Sequence, residues 1–293
     1  MIKTIKTMSK QEKERYTVPR KVQDVIPVRR IWPDGIFLAG NRFSKTYRFS
    51  DINYLVASRE DKESMFLTYS ELLNSLDSGA VTKITINNRR MNQANFETSI
   101  LMPMQGDFRD EYRGEYNQML LDKATGANGI MQEKYITISV VKKDIEEARA
   151  YFSRVGADLI SHFAALGSKC VELDATERLR ILHDFYRQGE EAEFSFDLAA
   201  KAKHGHDFKD YICPDSMEKS SDCLKLGEKC CRVLFLKDYA SYIKDSMVTE
   251  LTDFNRNMML SIDVVPIPTD EAVREVENRL LGIETNITNW QRR

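Results

Sequence analysis

The chain has 293 residues, of which 42% are apolar and 30% are charged, and its formal net charge is -2 at pH 7. This composition is typical of a globular protein with a sizeable core. No apolar run approaches the roughly 20 residues that a membrane-spanning helix needs. The sequence pattern therefore excludes a membrane span, and it predicts no secretory leader.

The first part of the chain, residues 1–34, is predicted to be a basic arm. Residues 1–30 hold nine Lys or Arg against three Asp or Glu. Pro19, Pro27 and Pro33 favour extended pieces, with room for one short helix near 9–16. Two interpretations stay open: a solvated terminus, or a handle for an anionic membrane surface or an acidic partner.

A hairpin, a long helix and a strand are predicted next. Residues 36–39 and 43–49 read as two strands joined by a tight turn. Ser58 can cap a helix, with Asp61 in the capping-box position, and residues 81–88 alternate as a strand does. The helix between them carries an apolar stripe that is expected to face the core: Met65, Phe66, Tyr69, Leu72, Leu73 and Leu76.

Residues 101–187 predict a helix, a strand and two more helices. Asp144 and Asp174 are expected N-caps, each with a glutamate three residues later, and residues 133–141 alternate as a strand. The first of these helices carries an apolar stripe of Phe108, Tyr112, Tyr116, Met119, Leu120 and Ala124. The second carries Ile145, Ala148, Phe152, Val155, Leu159, Phe163 and Leu166.

The rest of the chain repeats this order of elements. A second hairpin is predicted from 224–226 and 231–236, followed by a helix over 239–254 and a strand over 258–265. A final helix starts near Thr269, with apolar residues at helical spacing: Val273, Val276, Leu280, Ile283, Ile287 and Trp290.

These elements predict an α/β (α+β) fold with mixed sheets and packed helices. It comprises two ferredoxin-like β-β-α-β-α units in tandem, of which the second lacks its closing strand. The expected segments are the arm 1–34, a first unit 35–187, a polar connector 188–222 and a second, incomplete unit 223–293. The missing strand suggests a fragment of a longer protein, and a complete protein with a terminal helix is the alternative.

The motifs that would indicate an activity are missing from this sequence. None of the thirteen glycines is followed by lysine, so the phosphate-binding loop is absent. No Gly-x-Ser-x-Gly elbow occurs, and His162 and His183 lie on predicted helices as structural side chains. Arg89 and Arg90 lack the interleaved aromatic residues of a nucleic-acid platform. We therefore predict no catalytic, cofactor-binding or metal-binding residues, no cofactor and no nucleic-acid partner.

The five cysteines form no recognisable disulfide framework, and the sequence predicts free thiols in a reducing compartment. A zinc site could be imagined from His204, His206, Cys213 and Cys223. The spacing lacks the Cys-x2-Cys pair of a zinc knuckle, which argues against it.

Several stretches carry a resemblance to a known family. They are 25–37 and 43–54, followed by 69–76, 116–120, 156–160 and 236–239, and the likeness continues to 286–293. Together they are similar to the start of the conjugative-transfer ATPases of type IV secretion systems. The likeness is greatest to members carried by integrative elements of Gram-positive bacteria.

The resemblance implies an N-terminal α/β domain that precedes a RecA-like ATPase domain, so no ATP-binding residue carries over and the chain is not expected to be an enzyme. Expected partners are inner-membrane components of the transfer channel, the C-terminal ATPase domain, further copies of the chain, and an anionic membrane surface through the arm. The expected location is cytoplasmic, at the periphery of the cell membrane. Two alternatives remain: a nucleic-acid-binding accessory protein of a mobile element, and a metal-dependent enzyme using His204, His206 and Cys213.

Overall fold

The computed structural model describes residues 19–54, 56–90, 101–126, 130–197, 207–238, 246–254 and 256–291. These residues contain seven α-helices and ten β-strands. Contacts divide the chain into a smaller unit, 1–27 with 180–235, and a larger unit, 28–179 with 236–293. The helix expected near 9–16 lies outside the described residues.

The larger unit is built on a seven-stranded sheet. Its strands are β1 (Val28–Ile31), β2 (Phe37–Ala39), β3 (Arg42–Phe49), β4 (Ala80–Arg90), β5 (Ile130–Val141), β6 (Cys170–Glu172) and β10 (Met258–Val264). They lie in the order β1-β2-β3-β5-β4-β10, and β6 pairs with the last part of β3. Every pairing among these strands is antiparallel, so the predicted mixed sheet is wrong for the described residues.

The strand order explains why neighbouring strands are antiparallel although a helix connects β3 to β4. The chain leaves β3 through a helix and returns in β4, but β5 lies between those two strands and runs opposite to both. The order β6-β3-β5-β4 is the connectivity of a split β-α-β arrangement. The helices are α1 (Val22–Val25), α2 (Arg59–Asn74), α3 (Asp110–Gly126), α4 (Ile145–Ala165), α5 (Ala175–Tyr186), α6 (Ser246–Thr252) and α7 (Thr269–Gln291).

The predicted N-caps of α2, α4 and α5 are confirmed. The side chain of Ser58 accepts a hydrogen bond from the backbone N–H of Asp61 at 3.1 Å. Asp144 accepts one from the N–H of Glu147 at 2.9 Å. Asp174 accepts from the N–H of Glu177 at 2.8 Å, and the Glu177 carboxylate accepts from the Asp174 N–H at 3.1 Å, which completes a capping box.

The core of the larger unit lies between the sheet and the helices α2 and α4. Alternate β5 residues point into it, and the apolar stripe of α4 packs there as predicted. The buried members are Ile36, Phe43, Tyr47, Leu72, Leu76, Ala80, Ile136, Ile138, Val140, Ala148, Tyr151, Phe152, Leu159, Phe163, Leu166 and Cys170.

The predicted stripe on α2 is only partly in this core. Leu72 and Leu76 are buried, whereas Phe66 and Tyr69 are exposed, so their predicted core position is wrong. Helical spacing identifies an apolar face but not its neighbour. Here Leu72, near the C-terminal end, is the buried residue of the helix, and Leu76 follows after the helix has ended.

The smaller unit contains a three-stranded antiparallel sheet of β7 (Met217–Lys219), β8 (Leu224–Leu226) and β9 (Lys229–Cys231). The predicted second strand, 231–236, is wrong. The turn at Gly227, with φ of 57°, pairs Leu226 with Lys229, so the strand begins directly after the turn and ends at Cys231. The expected polar connector, 188–222, contains β7 and two short 3-10 helices, Glu191–Glu193 and Phe208–Tyr211.

The last predicted elements are found in part. Of the helix expected over 239–254, the described residues contain α6, and 239–245 lie outside them. The expected strand over 258–265 is confirmed as β10. It pairs with β4, with Leu260 opposite Ile86 and Ile262 opposite Ile84, and so extends the same sheet.

The prediction of free thiols is wrong for two of the five cysteines. Cys223 and Cys230 form a disulfide, because the hairpin brings their Cα atoms to 6.0 Å. Cys170, Cys213 and Cys231 are free.

A core truncation on α2 tests which face of this helix is buried. Leu72 is 1% exposed, so Leu72→Ala is expected to lower the free energy of unfolding by ~2–5 kcal/mol. Glu71→Ala, on the exposed side, should change it by less than about 0.5 kcal/mol. Urea unfolding measures both, and equal midpoint shifts would contradict the observed packing.

Candidate docking surfaces

The histidines and the cysteine that the sequence offers as candidate catalytic residues make structural contacts. His183 lies beside Asp184, with Nδ1 and Oδ1 3.2 Å apart, and both side chains are buried. The His162 ring nitrogen Nδ1 lies 2.8 Å from the Asp158 carbonyl oxygen. Burial raises the pKa of the Cys170 thiol to about 11, which keeps it protonated at neutral pH. None of these groups is arranged as a nucleophile with a base.

Two of the four candidate zinc ligands are described by the structure, and both are in structural positions. Cys223 is in the disulfide, Cys213 is buried with a pKa raised to about 11 by burial, and His204 and His206 lie outside the described residues. Within the described parts of the chain, no group of three or more His, Cys, Asp or Glu side chains could hold a metal ion.

The arginine considered for phosphate binding is part of the sheet. Arg89 on β4 donates to the Glu133 carboxylate at 2.6 Å across the β4–β5 pair, and the Tyr135 hydroxyl donates to the same carboxylate at 2.8 Å. Burial raises the pKa of Tyr135, and the charge of Glu133 adds to the effect. The side chain of Arg90 lies outside the described ones, as do Arg292 and Arg293.

Large apolar side chains along α3 and just before it are exposed instead of buried. We call this set the α3 stripe, and it comprises Phe108, Tyr112, Tyr116 and Met119. Their spacing of four, four and three residues places them along one side of the helix. The sequence predicted the apolar stripe but not its exposure. The signal that could have shown the exposure is its chemistry, since tyrosine and methionine replace the leucine and isoleucine of the α4 stripe.

Hydrogen bonds and ion pairs hold the segment that precedes the α3 stripe. Asn117 on α3 bonds the backbone of Met102 twice, through Oδ1 to the N–H and through Nδ2 to the carbonyl, both at 2.9 Å. Arg113 pairs with Asp107 and Asp110 at 2.5 Å each. The hydrogen bond from Arg113 holds the pKa of Asp107 below its usual value. These bonds tie the segment before α3 to the helix.

Acidic side chains border one side of the α3 stripe, and the Arg109 guanidinium lies over the Phe108 ring at 5.4 Å. Glu111, Glu115 and Asp122 are exposed on the same helix. Glu115, Gln118, Met119 and Asp122 line a shallow depression on its surface. An apolar line with an acidic border can accept a segment that is apolar in the middle and basic at its edges.

Two further apolar surfaces are exposed in the described residues. Val233, Leu234 and Phe235 follow β9 without regular structure, and each is more than four-fifths exposed. The long helix α7 exposes Val273, Val276, Leu280, Leu281, Ile283 and Trp290. The sequence predicted apolar residues at helical spacing on this helix, and in the structure α7 makes few contacts with other described elements.

Exposed apolar surface of this kind marks interaction sites, because monomeric soluble proteins rarely expose large contiguous apolar patches. Aromatic residues and methionine are also the types enriched at the centres of protein interfaces.

No helix among the described residues has the length and apolar character to cross a bilayer. No protein-family model matches the chain, and neither does any curated protein.

Proposed function

We propose that this chain is a non-catalytic docking domain of a conjugation ATPase of a type IV secretion system, and that it binds membrane components of the transfer channel. The exposed α3 stripe is the observation that carries the proposal. The resemblance of residues 25–54 and of the later stretches to the conjugative-transfer ATPases supports the choice of family.

The chemistry of the α3 stripe favours one kind of partner. Tyr112 and Tyr116 present large apolar rings with a hydroxyl at the tip, which suits a surface that is desolvated when a partner binds. The acidic border, Glu111, Glu115 and Asp122, favours Lys and Arg around the partner's apolar centre. Cytoplasmic segments next to membrane spans carry an excess of Lys and Arg. A segment of that type in a channel protein is the partner that we propose.

The preformed support of the stripe lowers the cost of binding. The bonds of Asn117 to Met102 and of Arg113 to Asp107 and Asp110 fix the segment before α3, so less backbone freedom is lost when a partner binds.

The basic arm is proposed as a second, electrostatic contribution. Arg20 and Lys21 are exposed, and residues 1–18 lie outside the described parts. Their attraction to anionic lipid should fade as salt rises, because the Debye length at physiological ionic strength is only about 8 Å.

The tandem arrangement of two ferredoxin-like units stays a prediction. The strand order β6-β3-β5-β4 supports a first unit over residues 42–172. The strand β10 adds to that same sheet at the β4 edge.

Binding to membrane vesicles tests the proposal. Vesicles from cells that carry the transfer channel are expected to bind the protein, and vesicles from cells without it are expected to bind it at least ~10-fold less. Tyr112→Asp should lower binding to the channel-containing vesicles by a similar factor, because it places a charge in the stripe. Tyr54→Asp, at an exposed tyrosine off the stripe, is the matched control and should change binding by less than about two-fold.

Equal binding to both kinds of vesicle would show that lipid, not a channel protein, is recognised, and would contradict the proposal. ATP turnover that survives repurification of the protein would contradict the non-catalytic role.

A further inference from the structure

The spacing of the apolar residues on α7 is typical of a helix that pairs with another helix. Val273, Val276, Leu280, Ile283, Ile287 and Trp290 are separated in turn by three, four, three, four and three residues. This is the a and d pattern of a heptad repeat, with an average period of 3.5 residues, which is typical of one helix packing along another.

No polar residue interrupts this seam. Val273, Leu280 and Ile287 take the a positions, and Val276, Ile283 and Trp290 take the d positions. Each seam side chain that the structure describes is at least half exposed. The seam runs over roughly 26 Å of helix, from the rise of 1.5 Å per residue. A partner helix of the same length would therefore cover a continuous apolar line.

The charges beside the seam fit a second copy of the same helix. Arg279 takes a g position, and Glu284, five residues later, takes an e position. In a parallel pair of helices, a g residue lies beside the e residue of the following heptad on the other helix, so Arg279 of each copy meets Glu284 of the other. Within one chain, Arg279 contacts Glu275 at 2.6 Å. This ion pair is exposed, so breaking it costs little free energy.

We infer that α7 pairs in parallel with α7 of a second copy of this chain, so that the protein is a dimer through this seam. The pairing buries the side chains that the isolated chain leaves exposed, and it adds two Arg279–Glu284 pairs between the copies. It leaves the α3 stripe to other partners, since that stripe lies on a different helix.

A matched pair of adjacent leucines tests the inference. Leu280 lies in the seam and is 55% exposed, and Leu281 lies beside it at a b position and is 59% exposed. Sedimentation equilibrium of the whole 293-residue protein should show a monomer–dimer equilibrium. Leu280→Asp should weaken dimerisation at least ~10-fold, and Leu281→Asp should weaken it less than about two-fold, because only the first charge is buried in the pair. Both positions are exposed, so thermal unfolding of the two monomers should stay alike.

The parallel direction has its own readout. Ile283→Cys places a thiol at a d position, where the two copies meet in a parallel pair, and it should give a covalent dimer on mild oxidation. Asn278→Cys, on the outer side of the helix, is the control and should add none over the parent protein. A wild-type protein that stays monomeric at high concentration, or equal effects of the two leucine substitutions, would overturn the inference. A Leu280-dependent dimer without the Ile283→Cys cross-link would overturn the parallel direction.

Discussion

Gly156→Ala in the middle of α4 is expected to lower the free energy of unfolding by about 1–3 kcal/mol. A Cβ atom at this position would lie 2.6 Å from the Tyr47 hydroxyl oxygen and 2.9 Å from a Glu172 carboxylate oxygen. Tyr47 is fully buried in the core between the sheet and α4. Glu172 is held by Lys45 at 2.5 Å. Alanine would force these groups or the helix to shift.

A second helical glycine provides the control. A methyl group added at Gly282 on α7 would have nothing within 4 Å, and this position lies outside the apolar seam. Gly282→Ala should therefore raise the free energy of unfolding by roughly 0.5–1 kcal/mol, because alanine favours the helix more than glycine does. Urea unfolding of both variants measures the difference. A gain in stability for both would show that the contact between α4 and β3 is looser than the structure has it.

Arg178→Met on α5 is expected to lower the free energy of unfolding by at least about 3 kcal/mol. The partly buried guanidinium donates to the Gly35 and Ser44 carbonyl oxygens, both at 2.7 Å, and it stacks over the Phe37 ring at 4.0 Å. Burial lowers the pKa of Arg178 to about 9, so the side chain still carries its charge at neutral pH. Methionine keeps much of the volume but leaves both carbonyl groups without their donor.

Two further substitutions separate the hydrogen bonds from the charge. Arg178→Lys keeps the charge but cannot bridge both carbonyl oxygens with a planar fork, so it should recover only part of the loss. Arg180→Met removes an exposed arginine from the same helix and should change the free energy of unfolding by less than about 0.5 kcal/mol. Thermal and urea unfolding give both values. Full recovery by lysine would mean that the two bonds to backbone oxygens contribute little.

Local features of the fold could be predicted from the sequence because their causes are local. The caps at Ser58, Asp144 and Asp174 depend on residues three positions apart, and all three are found. The burial of alternate residues on β5 follows from the period of a strand. These predictions need no knowledge of the neighbouring elements.

Features set by distant parts of the chain could not be predicted in the same way. The position of β10 beside β4 joins residues that are far apart in sequence. The extent of β9 depends on the register of a two-residue turn, and the same turn brings Cys223 to Cys230. Amphipathic spacing alone did not reveal these pairings.

The candidate surfaces were visible in the sequence as apolar stripes, but their spacing did not show that they are exposed. The stripes of α4 and α3 have the same helical spacing, yet Phe152 is buried and Tyr112 is 69% exposed. The period of a stripe shows that a helix has an apolar face, and only the fold shows whether this chain or another covers it.

The central claim, that the α3 stripe docks onto a membrane component of a transfer channel, is tested most directly by photo-cross-linking in cells that carry the channel. The photoreactive residue p-benzoylphenylalanine would replace Tyr112 on the stripe, and in a parallel strain it would replace Tyr54 as the control. We expect an adduct between position 112 and a channel protein of the membrane, and at most a trace of it from position 54. An equal yield of that adduct from the two positions, or no adduct with a channel protein from position 112, would contradict the claim.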